Sequence, residues 1–281
     1  MPRIVGISRG NKYSPNHIGN DAAIFKIVVT YLQSLGCEVD IYTEEEFILK
    51  PVSAPVIFHM ARDKKTLAAL KKLEDGGVVV INSSYGIENC VRKAMTEILL
   101  ENQVPHPYSY VINLAHSYSC ENIQQYPCWI KRGDSHAIVK EDVCYVSSWK
   151  EAETVLNDFK ERNIPTAVIN QHLVGDLIKF YGVQGGDYFY WFYPSPCSHS
   201  KFGLEKINGE AKGISFTEND LKSYCERASR LLNVPVYGGD CVISPDGEIF
   251  IIDFNDWPSF ARCREEAGEQ IAAYIYKKLT D

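Results

Sequence analysis

The chain has 281 residues, of which 45% are hydrophobic and 23% charged, and its formal net charge is −7 at pH 7. This length allows two domains or one large α/β domain with an added lobe, and the composition is that of a globular protein. The negative charge argues against nucleic acid or an anionic membrane as the main partner. No apolar run approaches the roughly 20 residues that span a bilayer, and the N-terminus carries no signal-peptide pattern. Nine irregularly spaced cysteines, with no Cys-x-x-Cys pair, predict reduced thiols and a cytoplasmic protein.

The first 82 residues alternate between short apolar strands and helices. This alternation predicts a small α/β domain with a parallel sheet that carries helices on its faces. Ligands of such sheets bind beyond the carboxyl ends of the strands, which here are residues 8–20, 60–63 and 82–85. Neither a Gly-x-Gly-x-x-Gly nor a Walker-type motif occurs, so dinucleotide and P-loop binding are not indicated. The predicted strands are Arg3–Ser8, Glu38–Thr43, Val56–Met60 and Val78–Ile81, and the predicted helices are Asn20–Leu35 and Asp63–Glu74.

The rest of the chain mixes strands and helices without an internal repeat or a long linker. Ala167–Leu173 and Leu177–Val183 are predicted to form a hairpin about Gly175 and Asp176. The predicted helices are Ile87–Glu101, Trp149–Arg162, Thr217–Leu232 and Arg262–Leu279, and the other predicted strands are Tyr108–Ile112, Pro127–Lys131, Val143–Val146 and Tyr188–Tyr193.

An acidic hairpin near the C-terminus is the most informative feature of the sequence. Two apolar runs flank the turn Ser244–Gly247, with Asp240 in the first run and Asp253 and Asn255 in the second. Asp253 and Asn255 are two residues apart and therefore share one face of their strand. Carboxylates placed side by side in an apolar sheet need a neutralising cation, and Mg²⁺ takes one or two carboxylates together with substrate phosphates. The hairpin therefore predicts a magnesium site at Asp240, Asp253 and Asn255.

Three lysines upstream of this hairpin indicate a polyphosphate ligand. Lys131 ends one apolar strand and Lys179 lies inside another, where an unpaired ammonium group would cost several kcal/mol to desolvate. Lys93 lies on a predicted helix. Together with Mg²⁺, these lysines would hold the phosphates of a nucleotide.

In the order of these motifs, the sequence from Asn82 onward resembles the ATP-grasp superfamily, in particular the glutathione-synthetase and ribosomal-protein glutamate-ligase branch. The resemblance implies an α/β and α+β fold in which a small parallel-sheet N-terminal domain (residues 1–82) precedes the ATP-grasp fold. It also implies a nucleotide-binding lobe at residues 83–168 and a C-terminal lobe with the metal site at residues 169–281. The cofactors implied are ATP and one or two Mg²⁺ ions. The nucleotide-binding residues implied are Lys93, Lys131, Gln171, His172, Leu173, Asp176 and Lys179, and the metal ligands are Asp240, Asp253 and Asn255.

The activity that the resemblance implies is a carboxylate–amine or carboxylate–thiol ligase that forms an acyl phosphate and releases ADP and phosphate. The catalytic candidates are Lys179, Arg262 and His136, with Arg9 and Arg62 as further candidates on the acceptor side. The acceptor would be a small molecule or a peptide, and the oligomeric state is left open.

Two alternatives remain at this point. Asp253-Phe254-Asn255 at the metal, and Ser135-His136 where many ligases have a glycine-rich loop, are similar to the inositol polyphosphate kinases of the same superfamily. The acidic composition argues against such a polyphosphate acceptor, because it would need several fixed cations. The second alternative is a non-catalytic nucleotide-binding module.

Overall fold

The computed structural model describes residues 2–13, 18–50, 52–116, 123, 125–137, 139–194 and 207–281. Positions 14–17 of the predicted ligand-binding segment 8–20 lie outside these residues. Within the described part, the strands form three four-stranded sheets, which we name the N-terminal, central and C-terminal sheets. The mixed α/β and α+β architecture, with a parallel sheet ahead of antiparallel ones, confirms the predicted fold class.

The N-terminal sheet is parallel, with strand order β2-β1-β3-β4. Its strands are short and apolar, as expected for a sheet covered by helices. The elements are β1 Arg3–Ile7, α1 Ile18–Ser34, β2 Glu38–Tyr42, α2 Glu44–Leu49, β3 Val56–His59, α3 Lys64–Asp75 and β4 Val79–Ile81.

The central sheet is antiparallel, with strand order β5-β8-β6-β7, and α6 packs its apolar stripe on one face. Two short helices, α4 and α5, connect it to the N-terminal sheet. The elements are α4 Ser84–Asn89, α5 Arg92–Glu101, β5 Ser109–Asn113, β6 Cys128–Arg132, β7 Val143–Val146, α6 Trp149–Glu161 and β8 Thr166–Gln171.

The C-terminal sheet is antiparallel, with strand order β10-β9-β11-β12, and α7 and α5 cover one of its faces. The last helix, α8, returns to the N-terminal sheet, where Ile271 and Ile275 share a buried core with Ile24 and Val28 of α1. This return brings the end of β12 against the carboxyl ends of β1 and β3. The elements are β9 Asp176–Val183, β10 Phe189–Phe192, α7 Glu218–Leu232, β11 Val236–Ile243, β12 Ile249–Asp256 and α8 Arg264–Thr280.

Two local predictions are wrong. β8 and β9 do not form a hairpin, because β8 belongs to the central sheet and β9 to the C-terminal sheet. Between them Gly175 has φ +152°, and a Cβ there would lie 2.0 Å from the carbonyl oxygen of Ile243. The predicted helix 87–101 is two helices, α4 and α5. α4 packs so closely on the end of α7 that a Cβ at Gly86 would lie 2.2 Å from the carbonyl oxygen of Asn233.

Candidate active site between the central and C-terminal sheets

The faces of the central and C-terminal sheets that carry the predicted site residues are turned towards each other. On β6, Cys128 and Ile130 pack on α6, so Trp129 and Lys131 point to the opposite face. On β9, Ile178 and Phe180 pack in the α7 core, which leaves Lys179 on the opposite face. Lys131 Nζ donates to the carbonyl oxygen of Ile252 on β12 at 3.2 Å, so its side chain crosses from one sheet to the other.

The two predicted metal carboxylates are neighbours in the C-terminal sheet. Asp240 on β11 is the register partner of Asp253 on β12 and of Lys179 on β9. Lys179 Nζ donates to Asp240 Oδ1 at 2.8 Å, and both side chains are about three-quarters buried. Asn255 pairs with Gly238, two positions farther along the same face. The structure therefore brings Asp240, Asp253, Asn255 and Lys179 together.

A β-bulge in β12 provides the carbonyl group that accepts the hydrogen bond from Lys131. The register shifts between Asp240 and Cys241, so Ile252 has no partner on β11. The bulge frees the Ile252 carbonyl, which accepts from Lys131. The backbone beside it is fixed from the other side, because His106 Nδ1 lies 2.6 Å from the Ile251 carbonyl oxygen and the Ile251 amide donates to Pro105.

Arg92, and not Lys93, is the cation of α5 that faces the acidic pair. Arg92 is the first residue of α5, is 8% exposed, and has Nη2 3.6 Å from Asp253 Oδ2. Its buried Nε and Nη1 have no hydrogen-bond partner among the described residues. Lys93 is half-exposed and pairs with Glu97 one turn along the helix at 3.8 Å. Its side chain therefore lies away from the carboxylates.

Charge coupling across the cleft shifts the pKa values of these groups. Burial, reinforced by the nearby Arg92 guanidinium, lowers the pKa of Lys131 to about 8. Burial alone would raise the pKa of Asp253, but the cations Arg92 and Lys131 outweigh it and the pKa is lowered. The Asp253 carboxylate is therefore ionised, and this part of the cleft carries positive charge suited to phosphate groups.

The donor set fits a hard cation that phosphate oxygens would share. Two carboxylates and one amide oxygen lie on one face, and these are the ligands that Mg²⁺ takes alongside substrate phosphates. Among the described residues, no group of three His, Cys, Asp or Glu side chains is placed to hold a metal ion. Lys179 and Arg92 lie against the two carboxylates and take the place that a metal ion would otherwise have in neutralising them. The residues therefore fit a metal that binds together with a polyphosphate.

A second cluster lies where β12 ends against the N-terminal sheet. The fully buried Asp256 carboxylate has Arg62 Nη2 at 2.6 Å, His136 Nε2 at 3.4 Å and Arg9 Nη2 at 3.8 Å. Burial opposes the shift, but the Arg62 guanidinium, the neighbouring His136 and the Arg9 guanidinium hold the pKa of Asp256 far below its usual range. Burial also lowers the pKa of His136 to about 4, so its imidazole is neutral at pH 7. Arg9 additionally pairs with Asp21 at 3.2 Å.

Two further predicted site residues, Asp176 and Arg262, do not contact the acidic pair in the described contacts. The Asp176 carboxylate is buried and accepts from the backbone amides of Lys212 and Ile214, at 2.7 and 2.8 Å. Arg262 is exposed, and its guanidinium lies 4.4 Å from the ring centre of Phe192. Phe192 is the register partner of Lys179, so Arg262 lies at the edge of the same cleft face.

Three of the predicted nucleotide-binding residues, Gln171, His172 and Leu173, lie at the end of β8 and directly after it. The Gln171 amide donates to Tyr108 and the His172 amide to Pro127, while the Leu173 carbonyl accepts from Asn208. His172 also accepts a hydrogen bond from the indole nitrogen of Trp129 at 3.1 Å. Gln171 thus ends β8, and His172 and Leu173 begin the connection to β9.

Reasoning from sequence missed Arg92, Asp256 and Trp129 as site residues. Arg92 adjoins the predicted Lys93, and only the break between α4 and α5 shows which of the two faces the carboxylates. Regular alternation turns Asp256 away from the face of Asn255. Trp129 lies two residues before Lys131 on an apolar strand, and this i, i+2 spacing was the signal that could have found it.

No protein-family model matches this chain, and no curated protein matches it. None of the described helices is long and apolar enough to cross a membrane.

Several solved structures share the fold over the whole length of the chain. A D-alanine–D-alanine ligase from Bacillus anthracis superposes with a TM-score of 0.69 and 13% identity over 100% of this chain and 98% of that one. The ATP-grasp ligase PsnB, complexed with a minimal precursor, gives 0.63 and 15% over 99% of both chains. An ATP-grasp RimK domain protein from Sphaerobacter thermophilus gives 0.67 and 14% over 98% of this chain and 99% of that one. This agreement confirms the resemblance inferred from the sequence at the level of the fold: the protein has the ATP-grasp fold.

Proposed function

We propose that this protein is an ATP- and Mg²⁺-dependent ligase that joins a carboxylate to an amine or a thiol through an acyl phosphate. One observation carries the proposal. Three cations, Lys131, Arg92 and Lys179, gather from three different elements around the paired carboxylates Asp240 and Asp253. This arrangement suits a nucleotide polyphosphate, and the solved structures that share the fold include a D-alanine–D-alanine ligase complexed with ATP.

Asp240, Asp253 and Asn255 would hold Mg²⁺, which supplies charge neutralisation at the β and γ phosphates. Lys131 and Arg92 would hold the phosphates from the central-sheet side. Lys179, held in place by Asp240, would approach the γ-phosphate. Catalysis by such a site rests on positioning and on electrostatic stabilisation of the transferring phosphoryl group.

In the first step, an acceptor carboxylate oxygen attacks the γ-phosphorus and the bond to the β–γ bridging oxygen breaks, which releases ADP. In the second step, an amine or thiol attacks the acyl carbon, the carbonyl–oxygen bond to phosphate breaks, and the nucleophile loses its proton. Arg262, beside Phe192 of β10, and the cluster of Arg62 and His136, at the end of β12, would orient the acceptor. His136 would act as a neutral hydrogen-bonding group, because its pKa is about 4.

A screen for ATP-dependent ADP release tests the proposal. Pools of amino acids, short peptides, dicarboxylates and inositol phosphates are offered with Mg²⁺, each with and without a candidate amine or thiol. We expect release with a carboxylate pool, and release that needs both acceptor and nucleophile for multiple turnovers. Release only with inositol phosphates would favour a kinase, and no release despite ATP binding would favour a non-catalytic module.

With this activity, the acceptor would be a small molecule or a short peptide, and the protein would act in the cytoplasm. ATP and reduced thiols are both available in that compartment. The cysteines in the described part of the chain are free, namely Cys37, Cys90, Cys128, Cys144, Cys225, Cys241 and Cys263.

A further inference from the structure

A buried carboxylate, that of Glu44, lies among the loops at the carboxyl end of the N-terminal sheet. Glu44 is the first residue of α2, closely follows β2, and is 5% exposed. Its Oε1 accepts from the Gly10 amide at 2.8 Å, and its Oε2 accepts from the amides of Arg62 and Asp63 at 3.1 and 2.7 Å. Gly10 belongs to the loop after β1, and Arg62 and Asp63 belong to the loop after β3. One side chain therefore joins the loops that follow three neighbouring strands.

This carboxylate fills a place that would otherwise suit the anion of a ligand. Backbone N–H groups that converge at this end of a parallel sheet form an anion-binding site. Here the chain itself supplies the anion, and the fit is close, because a Cβ at Gly10 would lie 3.0 Å from Glu44 Oε1. The Glu44 carboxylate therefore holds the loops together, and a ligand binds elsewhere.

The same two loops carry the two arginines whose guanidinium groups meet at Asp256. Arg9 directly precedes Gly10, and its Nη2 lies 3.8 Å from Asp256 Oδ2. Arg62 Nη2 lies 2.6 Å from Asp256 Oδ1. Each arginine is therefore held near its backbone by Glu44 and at its guanidinium group by Asp256.

The two arginines differ in what their guanidinium groups leave open. Arg9 donates from Nε and Nη2 to the carbonyl oxygens of Met60 and Trp257, at 3.1 Å each, and from Nη1 to Asp21 at 3.2 Å. The buried Nε of Arg62 has no hydrogen-bond partner among the described residues. A buried donor is costly when it is left without an acceptor. Arg9 is thus a link between elements, whereas Arg62 keeps a donor for a ligand.

We propose that Glu44 is a positioning residue for the acceptor, because it fixes the loops from which Arg62 reaches the site. The Nε–H group of Arg62 then donates a charge-assisted hydrogen bond to a carboxylate group of the acceptor. An arginine that is held at both ends loses little conformational freedom when the acceptor binds. This inference rests on the proposed function and adds the means by which the N-terminal sheet contributes to acceptor binding.

Glu44→Gln tests this role, because glutamine keeps the size but has one acceptor oxygen in place of two. Either Gly10 or the pair of Arg62 and Asp63 then loses its acceptor. ADP release is measured against the concentration of the carboxylate pool that is active in the screen. We expect the half-saturating concentration of this pool to rise about three- to tenfold, while the maximal rate and the ATP affinity stay within about twofold of the wild type.

Glu46→Ala is the matched control, because Glu46 lies in the same first turn of α2 and accepts from the Thr43 amide at 3.0 Å. Its loss should destabilise the start of α2 and leave the half-saturating concentration as in the wild type. An unchanged half-saturating concentration in Glu44→Gln would overturn the inference. So would an equal rise in Glu46→Ala, since the effect would then come from the stability of the helix alone.

Amide hydrogen exchange, followed by NMR, tests the contacts of Glu44 without any acceptor. In the wild type, the amides of Gly10, Arg62 and Asp63 should exchange slowly, and in Glu44→Gln at least one of them should exchange about tenfold faster or more. Wild-type amides of Arg62 and Asp63 that exchange as fast as freely exposed ones would overturn the inference, and this result needs no variant to fold. A screen without any ADP release would contradict the proposed function, whereas the exchange rates decide on the role of Glu44 in holding the loops. The two failures are therefore distinguishable.

Discussion

Lys179 and Asp240 are register partners on β9 and β11, and Lys179 Nζ lies 2.8 Å from Asp240 Oδ1. A proposed phosphate ligand thus lies against a proposed metal ligand. A cation that reaches Asp240 competes with the lysine, and a phosphate that reaches Lys179 weakens that competition. Binding of Mg²⁺ and of ATP should therefore be coupled positively.

Replacing Lys179 by Met should change the two affinities in opposite directions. Without ATP, Mg²⁺ should bind the variant more tightly, because the competing ammonium group is gone. ATP should bind about tenfold more weakly, because a contact to its phosphates is lost. Calorimetric titrations of each ligand alone and of both together measure this. Affinities that both fall, or that both stay unchanged, would contradict the competition between Lys179 and the metal.

Asp253→Asn should reduce Mg²⁺-dependent turnover by about 100-fold or more, since it removes one of two metal carboxylates. The variant should also unfold more easily without ligands, by about 1–3 kcal/mol, because the buried Arg92 loses its anionic partner. Asp246→Asn, in the exposed turn of the same hairpin, is the matched control and should change neither quantity. Wild-type turnover in Asp253→Asn would exclude this residue as a metal ligand.

Lys131→Met and Lys93→Met form a second matched pair. Lys131 is buried and bridges the two sheets, whereas the Lys93 side chain is half-exposed and pairs with Glu97. Met keeps much of the apolar stem and removes the charge. We expect ATP affinity to fall at least tenfold, about 1.4 kcal/mol, for Lys131→Met and to change less than twofold for Lys93→Met. The reverse order in a calorimetric titration would return the phosphate-binding role to Lys93.

Acid should destabilise the fold through His59, which is fully buried and lies 2.8 Å from the carbonyl oxygen of Asn82. Burial lowers its pKa to about 4 from an ordinary value near 6.5. Between these pH values the unfolded chain binds the proton and the folded chain does not, so stability falls as pH drops from about 6.5 to 4. We expect His59 to contribute about 1–3 kcal/mol to this loss.

Denaturant titrations from pH 7 to pH 4 measure this contribution. His59→Gln should flatten the pH dependence, while the same change at the exposed His116 should leave it as in the wild type. An unchanged slope in His59→Gln would show that His59 does not control it.

The parallel sheet and the acidic hairpin could be predicted from the sequence because both follow from local sequence patterns. Short apolar strands alternate with helices in the first 82 residues, and one turn joins β11 to β12. The prediction of a hairpin between β8 and β9 is wrong. The backbone at Gly175 closely approaches Ile243, which lies almost 70 positions away in another strand. The break before α5 likewise depends on the contact between Gly86 and Asn233. Such contacts leave no periodic trace in the chain.

The same distinction applies to the site. Asp240, Asp253 and Asn255 share a face through strand periodicity alone, and Lys179 joins them by register. The ion pairs of Arg92 with Asp253 and of Arg62 with Asp256 join segments more than 150 residues apart. A single sequence does not show which of its arginines will be buried in an ion pair with a distant carboxylate.

Trapping of the acyl phosphate tests the central claim most directly. With the acceptor found by the ADP screen, the protein is incubated with ATP, Mg²⁺ and hydroxylamine in place of the natural nucleophile. A ligase of the proposed kind should convert the acceptor to its hydroxamate, in an amount that matches the ADP released, and Asp253→Asn should form almost none. A stable phosphorylated acceptor without any hydroxamate would contradict the ligase mechanism and establish a kinase in its place.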